Sequence, residues 1–183
     1  MTATTLDAKT ALVVVDLQKG IVGLPTAHPA ADIVANSATL ADAFRAKGLP
    51  VVLVRVTGGA PGRTEGPRRA GQPAADWAEI VPELGPREGD VVVTKQQWGA
   101  FYGTDLDLQL RRRGVTQVVV TGVATSIGVE STARAAHEHG YHVTVVTDAV
   151  TDMDGGSHTN SIEKIFPRLG ETDTTEAIVK LLG

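Results

Sequence analysis

The sequence predicts a three-layer α/β fold on a doubly wound, mostly parallel sheet. Two observations carry this. Short β-branched apolar runs recur along the chain, continuous rather than alternating, as strands buried on both faces require. Three helical stretches between them end alike, in Lys47-Gly48, Arg113-Gly114 and His139-Gly140, each followed by a new apolar run. A basic last turn favours the helix dipole, and glycine takes the left-handed cap. Repeated αβ punctuation of this kind implies right-handed crossovers.

The strands are ALVVVD (11–16), VVLVRV (51–56), DVVVTK (90–95), QVVVTG (117–122) and HVTVVTD (142–148). Helical patterns over about 30–47, 104–113 and 126–139 separate several of them. SIEKIFPRLG (161–170) reads as a helix ended by Pro167 and Gly170, 171–173 as a short edge strand, and TTEAIVKLLG (174–183) as a terminal helix capped by threonine. No internal boundary interrupts 1–183, so one domain is expected. The segment TGGAPGRTEGPRRAGQPAAD (57–76) is rich in Gly, Pro and Arg. It is either a solvated loop or one that reaches the site, where Arg63, Arg68 and Arg69 would meet an anionic substrate.

Composition narrows the function classes. A net charge of −4 with no long basic block argues against nucleic acid as a partner. The chain has no cysteine, which excludes disulfides, thiolate catalysis and cysteine metal sites. No apolar run approaches a membrane span, and MTATTLDAKT lacks the regions of a signal peptide, so a cytoplasmic protein is expected.

In open α/β sheets ligands bind outside the carboxyl ends of the strands. The first strand ends in Asp16, followed by Leu17-Gln18; the third ends in Lys95; the fourth leads through GVATSIGVEST (122–132) to Gly128 at a helix start. Each has a plain alternative: an Asp that caps a turn, a Lys at a solvated strand end, a glycine that allows close helix–strand packing. Together they put an acid, a base and a helix N-terminus on one edge. Thr125 or Ser126 is the expected N-cap, leaving the amides of Ile127 and Gly128 to face a developing oxyanion. Trp98, Phe101 and Tyr102 follow Lys95 closely in a chain only 4% aromatic, and Trp98 is expected near the pocket. His137, His139 and His142 fall at the far end of a helix, and His28 and His158 read as polar surface residues.

These residues resemble the isochorismatase-like hydrolase family. The resemblance rests on VVVDLQKGIV (13–22), VVVTKQQWGAFYGTDLDLQLRRRG (91–114) and VVVTGVATSIGVESTARAAHEHGYHVTVVTDAV (118–150), and it covers nearly the whole chain. It implies a parallel sheet of about six strands, a homo-oligomer, and a small organic molecule as substrate with no cofactor. Most members are amidohydrolases with an Asp–Lys–Cys triad and a cis peptide beside the cysteine. Carried over, Asp16 and Lys95 match, the cis bond joins Val123 and Ala124, and the cysteine position is Gly128. Ala124, Ile127, Gln18 and Trp98 then fall among the substrate-binding positions. The Asp-x-His…His metal site of one branch is replaced by VRVTGGAPG, so no metal is expected. Another branch also holds glycine at the cysteine position and cleaves a vinyl ether, with the Asp as general acid. The resemblance therefore implies Asp/Lys acid–base hydrolysis without a thiol, of which isochorismate cleavage is one candidate. The alternative is a catalytically silent relative that binds a small ligand or serves as an oligomeric scaffold. Ser126 falls before the first turn of the helix and Ser131 a turn deeper, so neither is expected to stand in for a side chain at 128.

Overall fold

The computed structural model describes residues 2–66 and 72–183. Strand β1 spans Thr10–Val15 and is followed by a short helix α1 (Lys19–Val22) and the long helix α2 (Ala30–Ala46). Strands β2 (Val51–Val56) and β3 (Val91–Lys95) are joined by the long loop and a 3₁₀ turn at Pro82–Leu84. Then come α3 (Leu106–Arg112), β4 (Gln117–Val123), a π-helical turn (Thr125–Val129), α4 (Glu130–Glu138) and β5 (His142–Thr151). The chain closes with α5 (Gly155–Asn160), a second π turn (Ser161–Ile165), α6 (Phe166–Leu169), β6 (Glu171–Asp173) and α7 (Thr175–Leu182).

All six strands pair in parallel, in the order β3-β2-β1-β4-β5-β6. Alternate residues of β1 point to opposite layers. Ala11, Val13 and Val15 join Leu106, Leu110, Ala133 and Phe166 from α3, α4 and α6. Leu12 and Val14 join Leu40, Phe44 and Ile178 from α2 and α7. Both faces of β1 are thus covered, which explains why it carries no polar alternation. The edge strand β3 differs from expectation, being covered on one face only, with Val92 42% exposed on the other. Glycines 48, 114 and 140 take φ of 65°, 67° and 83°, so all three expected left-handed caps are present.

Three other elements differ from expectation. The helix expected at 126–139 opens as a wide π turn and becomes regular only at Glu130. The fifth strand runs on to Thr151, with its register against β4 shifting between Val120 and Gly122. The bulge lets the Asp148 carboxylate accept from both the amide and the hydroxyl of Thr175, each at 2.8 Å, anchoring the start of α7. The helical segment expected at 161–170 begins at Gly155, because Asp154 caps it by accepting from the Ser157 amide at 2.7 Å. Among the described residues no helix is long and apolar enough to cross a membrane.

Candidate active site

The strand order reverses between β1 and β4, and the crevice lies there, at the carboxyl ends of β1 to β4. Its floor is made at the end of β1. The Asp16 amide still donates to Val54 O at 2.9 Å as a strand residue would, and Gln18 N then donates to Asp16 O at 2.9 Å. The tight turn holds Asp16 at φ 54°, a left-handed conformation uncommon for a residue with a side chain. Neighbouring β4 comes equally close: at Gly122, with φ 120°, a Cβ would lie 2.0 Å from Val15 O, so only glycine fits.

Lys95, at the end of β3, extends across the end of β2 to meet Asp16. Its Nζ lies 2.7 Å from Asp16 Oδ2, and both side chains are almost fully buried. A second ammonium hydrogen is donated to the Trp98 carbonyl. Asp16 Oδ1 is buried and has no partner. Burial pushes the Asp16 carboxyl up to about 6, against the opposing pull of the Lys95 charge and hydrogen bond.

Gly128 faces this pair. A Cβ built there would lie 3.1 Å from Val15 Cγ1, 3.3 Å from Asp16 Oδ2 and 3.4 Å from Lys95 Nζ. Its own carbonyl accepts from the Thr132 hydroxyl at 2.6 Å, which ties the π turn to α4. The Val123–Ala124 peptide is cis, at the position the resemblance implied.

A cavity of about 230 Å³ stands over the ion pair. Asp16, Lys95, Gly128, Ala124, Ile127 and Trp98 all line it. Further wall comes from Ile21, Leu24, Val56, Val123 and Met153, which strand-end inspection did not single out. Gly58 and Gly59 also line it, so the start of the long loop does reach the site. Arg63 is exposed and is not part of the lining, whereas Arg68 and Arg69 lie outside the described residues.

Several expectations are corrected. Gln18 does not line the cavity; it is fully buried, and its amide clamps backbone. Its Nε2 donates to Val56 O and Trp77 O at 3.0 and 3.2 Å, while its Oε1 accepts from Val56 N at 2.7 Å. Neither Thr125 nor Ser126 caps the turn with its own side chain. Asp152, at the end of the longer β5, does so from outside, its Oδ2 accepting from Ser126 N at 2.7 Å and Ser126 Oγ at 2.8 Å. The Ile127 amide is not aimed at the cavity, since it donates to Ala124 O at 3.1 Å. Of the aromatics, Trp98 is 65% exposed yet borders the cavity, Tyr102 is exposed, and Phe101 is buried against His139 and Tyr141.

His28 is exposed, as expected, but it faces the half-buried His158. Their rings lie 4.7 Å apart. His28 Nδ1 shares a hydrogen bond with Thr151 Oγ1 at 3.1 Å, and His158 Nδ1 with Thr125 Oγ1 at 2.9 Å. Burial and the facing His28 lower the His158 pKa, with the Asp152 charge opposing. The residues after the cis bond are therefore gripped from the ends of β5 and α5, a connection that spacing along the chain does not reveal.

The chain is similar to known proteins over most of its length. The isochorismatase domain model matches residues 10–177. The isochorismatase family protein YwoC of Bacillus subtilis (strain 168) is 46% identical over 179 residues, covering 94% of this chain and 93% of its own. The solved structure of an isochorismatase family protein from Burkholderia thailandensis superposes with a TM-score of 0.93 at 46% identity, covering 97% of each chain. That of N-carbamoylsarcosine amidase from Thermoplasma acidophilum gives 0.73 at 32% identity, covering 91% of this chain and 95% of its own. A domain match over nearly the full length, with a relative identical at almost half of the aligned positions, establishes that the chain belongs to the isochorismatase family.

Proposed function

We propose that the chain is a hydrolase that works without a cysteine nucleophile, cleaving a small vinyl ether with Asp16 as the proton donor. One observation carries the reading. Asp16 is a buried carboxyl raised to about 6 that lines the cavity, with one oxygen on Lys95 and the other buried without a partner. A carboxyl in that range holds a usable fraction of its protons near neutrality and can give one up. Gly128, where the resemblance expects the thiol, offers no side chain to attack a carbonyl.

In this reading Asp16 protonates the β-carbon of the vinyl ether, leaving an oxocarbenium ion. Water adds to the cationic carbon and loses a proton to the Asp16 carboxylate. The hemiacetal so formed breaks into an alcohol and a carbonyl compound, so no covalent enzyme intermediate arises. Lys95 holds Asp16 in place and steadies its ionised form after transfer. The backbone at Ala124 and Gly128 orients the ether oxygen. Amide hydrolysis through a thiol, the route the resemblance implies for most of the family, would need a side-chain nucleophile that Gly128 does not supply.

The test is turnover of ethyl vinyl ether, followed as acetaldehyde release, by the wild type and by Asp16→Asn. The substitution should cost at least about a hundredfold in kcat/KM. Because the protonated form is the active one, wild-type kcat/KM should be full below the Asp16 pKa and fall as pH rises through about 6. Activity unchanged in the variant, a flat pH profile, or no turnover at all would reject the reading.

A further inference from the structure

We propose that this pocket takes an uncharged small molecule, an apolar body carrying one carbonyl- or ether-type oxygen, and discriminates against carboxylates. The inference rests on the cavity being the active site, as in the proposed function, but it concerns what the cavity admits rather than how it reacts.

The polar groups of the described lining leave little for a charged ligand. Among the described residues, four side chains with polar atoms border the cavity: Asp16, Lys95, Gln97 and Trp98, whose indole N–H is a neutral donor. Gln97 is already committed, its Nε2 donating to Gly99 O and Tyr102 O and its Oε1 accepting from Gln96 N. Lys95 has three hydrogens, one given to Asp16 and one to the Trp98 carbonyl, so a single N–H is left. At pH 7.5, above the Asp16 value of about 6, the Lys95 charge is matched by the Asp16 carboxylate at 2.7 Å. Besides the Trp98 indole, what remains for a ligand is that one ammonium hydrogen, together with the backbone at Ala124 and Gly128, enough to meet one small oxygen-bearing group.

The rest of the wall opposes an anion. Ile21, Leu24, Val56, Ile127 and Met153 supply apolar surface. A carboxylate moved there would give up its hydration without gaining a cation of its own. A ligand with two carboxylates, as isochorismate has, would need two cationic partners, and the described lining has one that is already paired. A volume of about 230 Å³ suits a body of roughly one substituted ring.

Binding, not turnover, tests this. Ethyl phenyl ether and 4-ethoxybenzoate differ by one carboxylate, and neither is a vinyl ether, so neither can undergo the proposed reaction. Isothermal titration of the wild-type chain at pH 7.5 should show ethyl phenyl ether binding at least tenfold more tightly. Met153→Arg, a change at a half-exposed wall position, should narrow or invert that ratio by supplying the missing cation. Equal or tighter binding of the benzoate by the wild type, or saturable binding of neither, overturns the proposal. Selective binding of the neutral ether without turnover of vinyl ethers would uphold it while rejecting Asp16 acid catalysis, so the two failures are distinguishable.

Discussion

Position 128 is where one missing side chain alters the chemistry most. The hypothetical Cβ contacts of 3.1 to 3.4 Å are tight but fall on side-chain atoms, which can give by a few tenths of an ångström. Gly128→Cys should therefore fold, and its thiol would be the sole cysteine of the chain. Next to Lys95, in the first turn of a helical segment, its pKa should fall below the ordinary value of about 8.5. Alkylation by iodoacetamide at pH 6.5 should run about tenfold faster than for a free thiol, and adding Lys95→Met should remove the advantage. A thiol that is inert, or ordinary in pKa, would mean that the pair does not act on this point. Asp16, Lys95 and Gly128 were legible because strand-end residues in a parallel sheet converge on one edge. Gln18 was misjudged because adjacency in sequence says nothing of where a side chain points after a left-handed turn.

At the scale of elements, the π turn that carries Gly128 is held from outside itself. Asp152 accepts two hydrogen bonds from Ser126, and the histidine pair grips Thr125 and Thr151. Removing the Asp152 carboxylate leaves a partly buried amide and hydroxyl without their acceptor. Asp152→Ala should cost about 1–3 kcal/mol in urea unfolding and speed hydrogen exchange at the Ser126 amide. Asp152→Asn, which keeps an acceptor oxygen, should recover most of the loss. An alanine variant as stable as the wild type would show that Ser126 finds another partner. The three glycine caps were readable because each is a local signal, a helix end written in adjacent residues. This cap was not, because its acceptor is 26 residues downstream and arrives only when β5 pairs with β4.

Across the whole molecule, the two apolar layers support the crevice from below while the chemistry stays at one edge. Phe44, fully buried in the layer of α2 and α7, packs far from the Asp16–Lys95 pair along the chain and joins none of the cavity wall. Phe44→Ala should destabilise by about 3–5 kcal/mol in chemical denaturation. The folded fraction should still bind ethyl phenyl ether with unchanged affinity. A matching loss of affinity would mean that the layers and the site are coupled more tightly than their separation suggests.

The order of apolar runs and helix caps determined the fold class, because burial on both faces and left-handed glycine ends are local demands that a chain cannot meet in many ways. It also determined that an acid and a base stand at one sheet edge. Tertiary structure alone decided what surrounds them. It brought Met153 and Leu24 to the wall, turned Gln18 away, moved the helix cap to Asp152 and paired His28 with His158. Those outcomes depend on which distant segments pack together, and residue type and spacing hold no record of that until the sheet has formed.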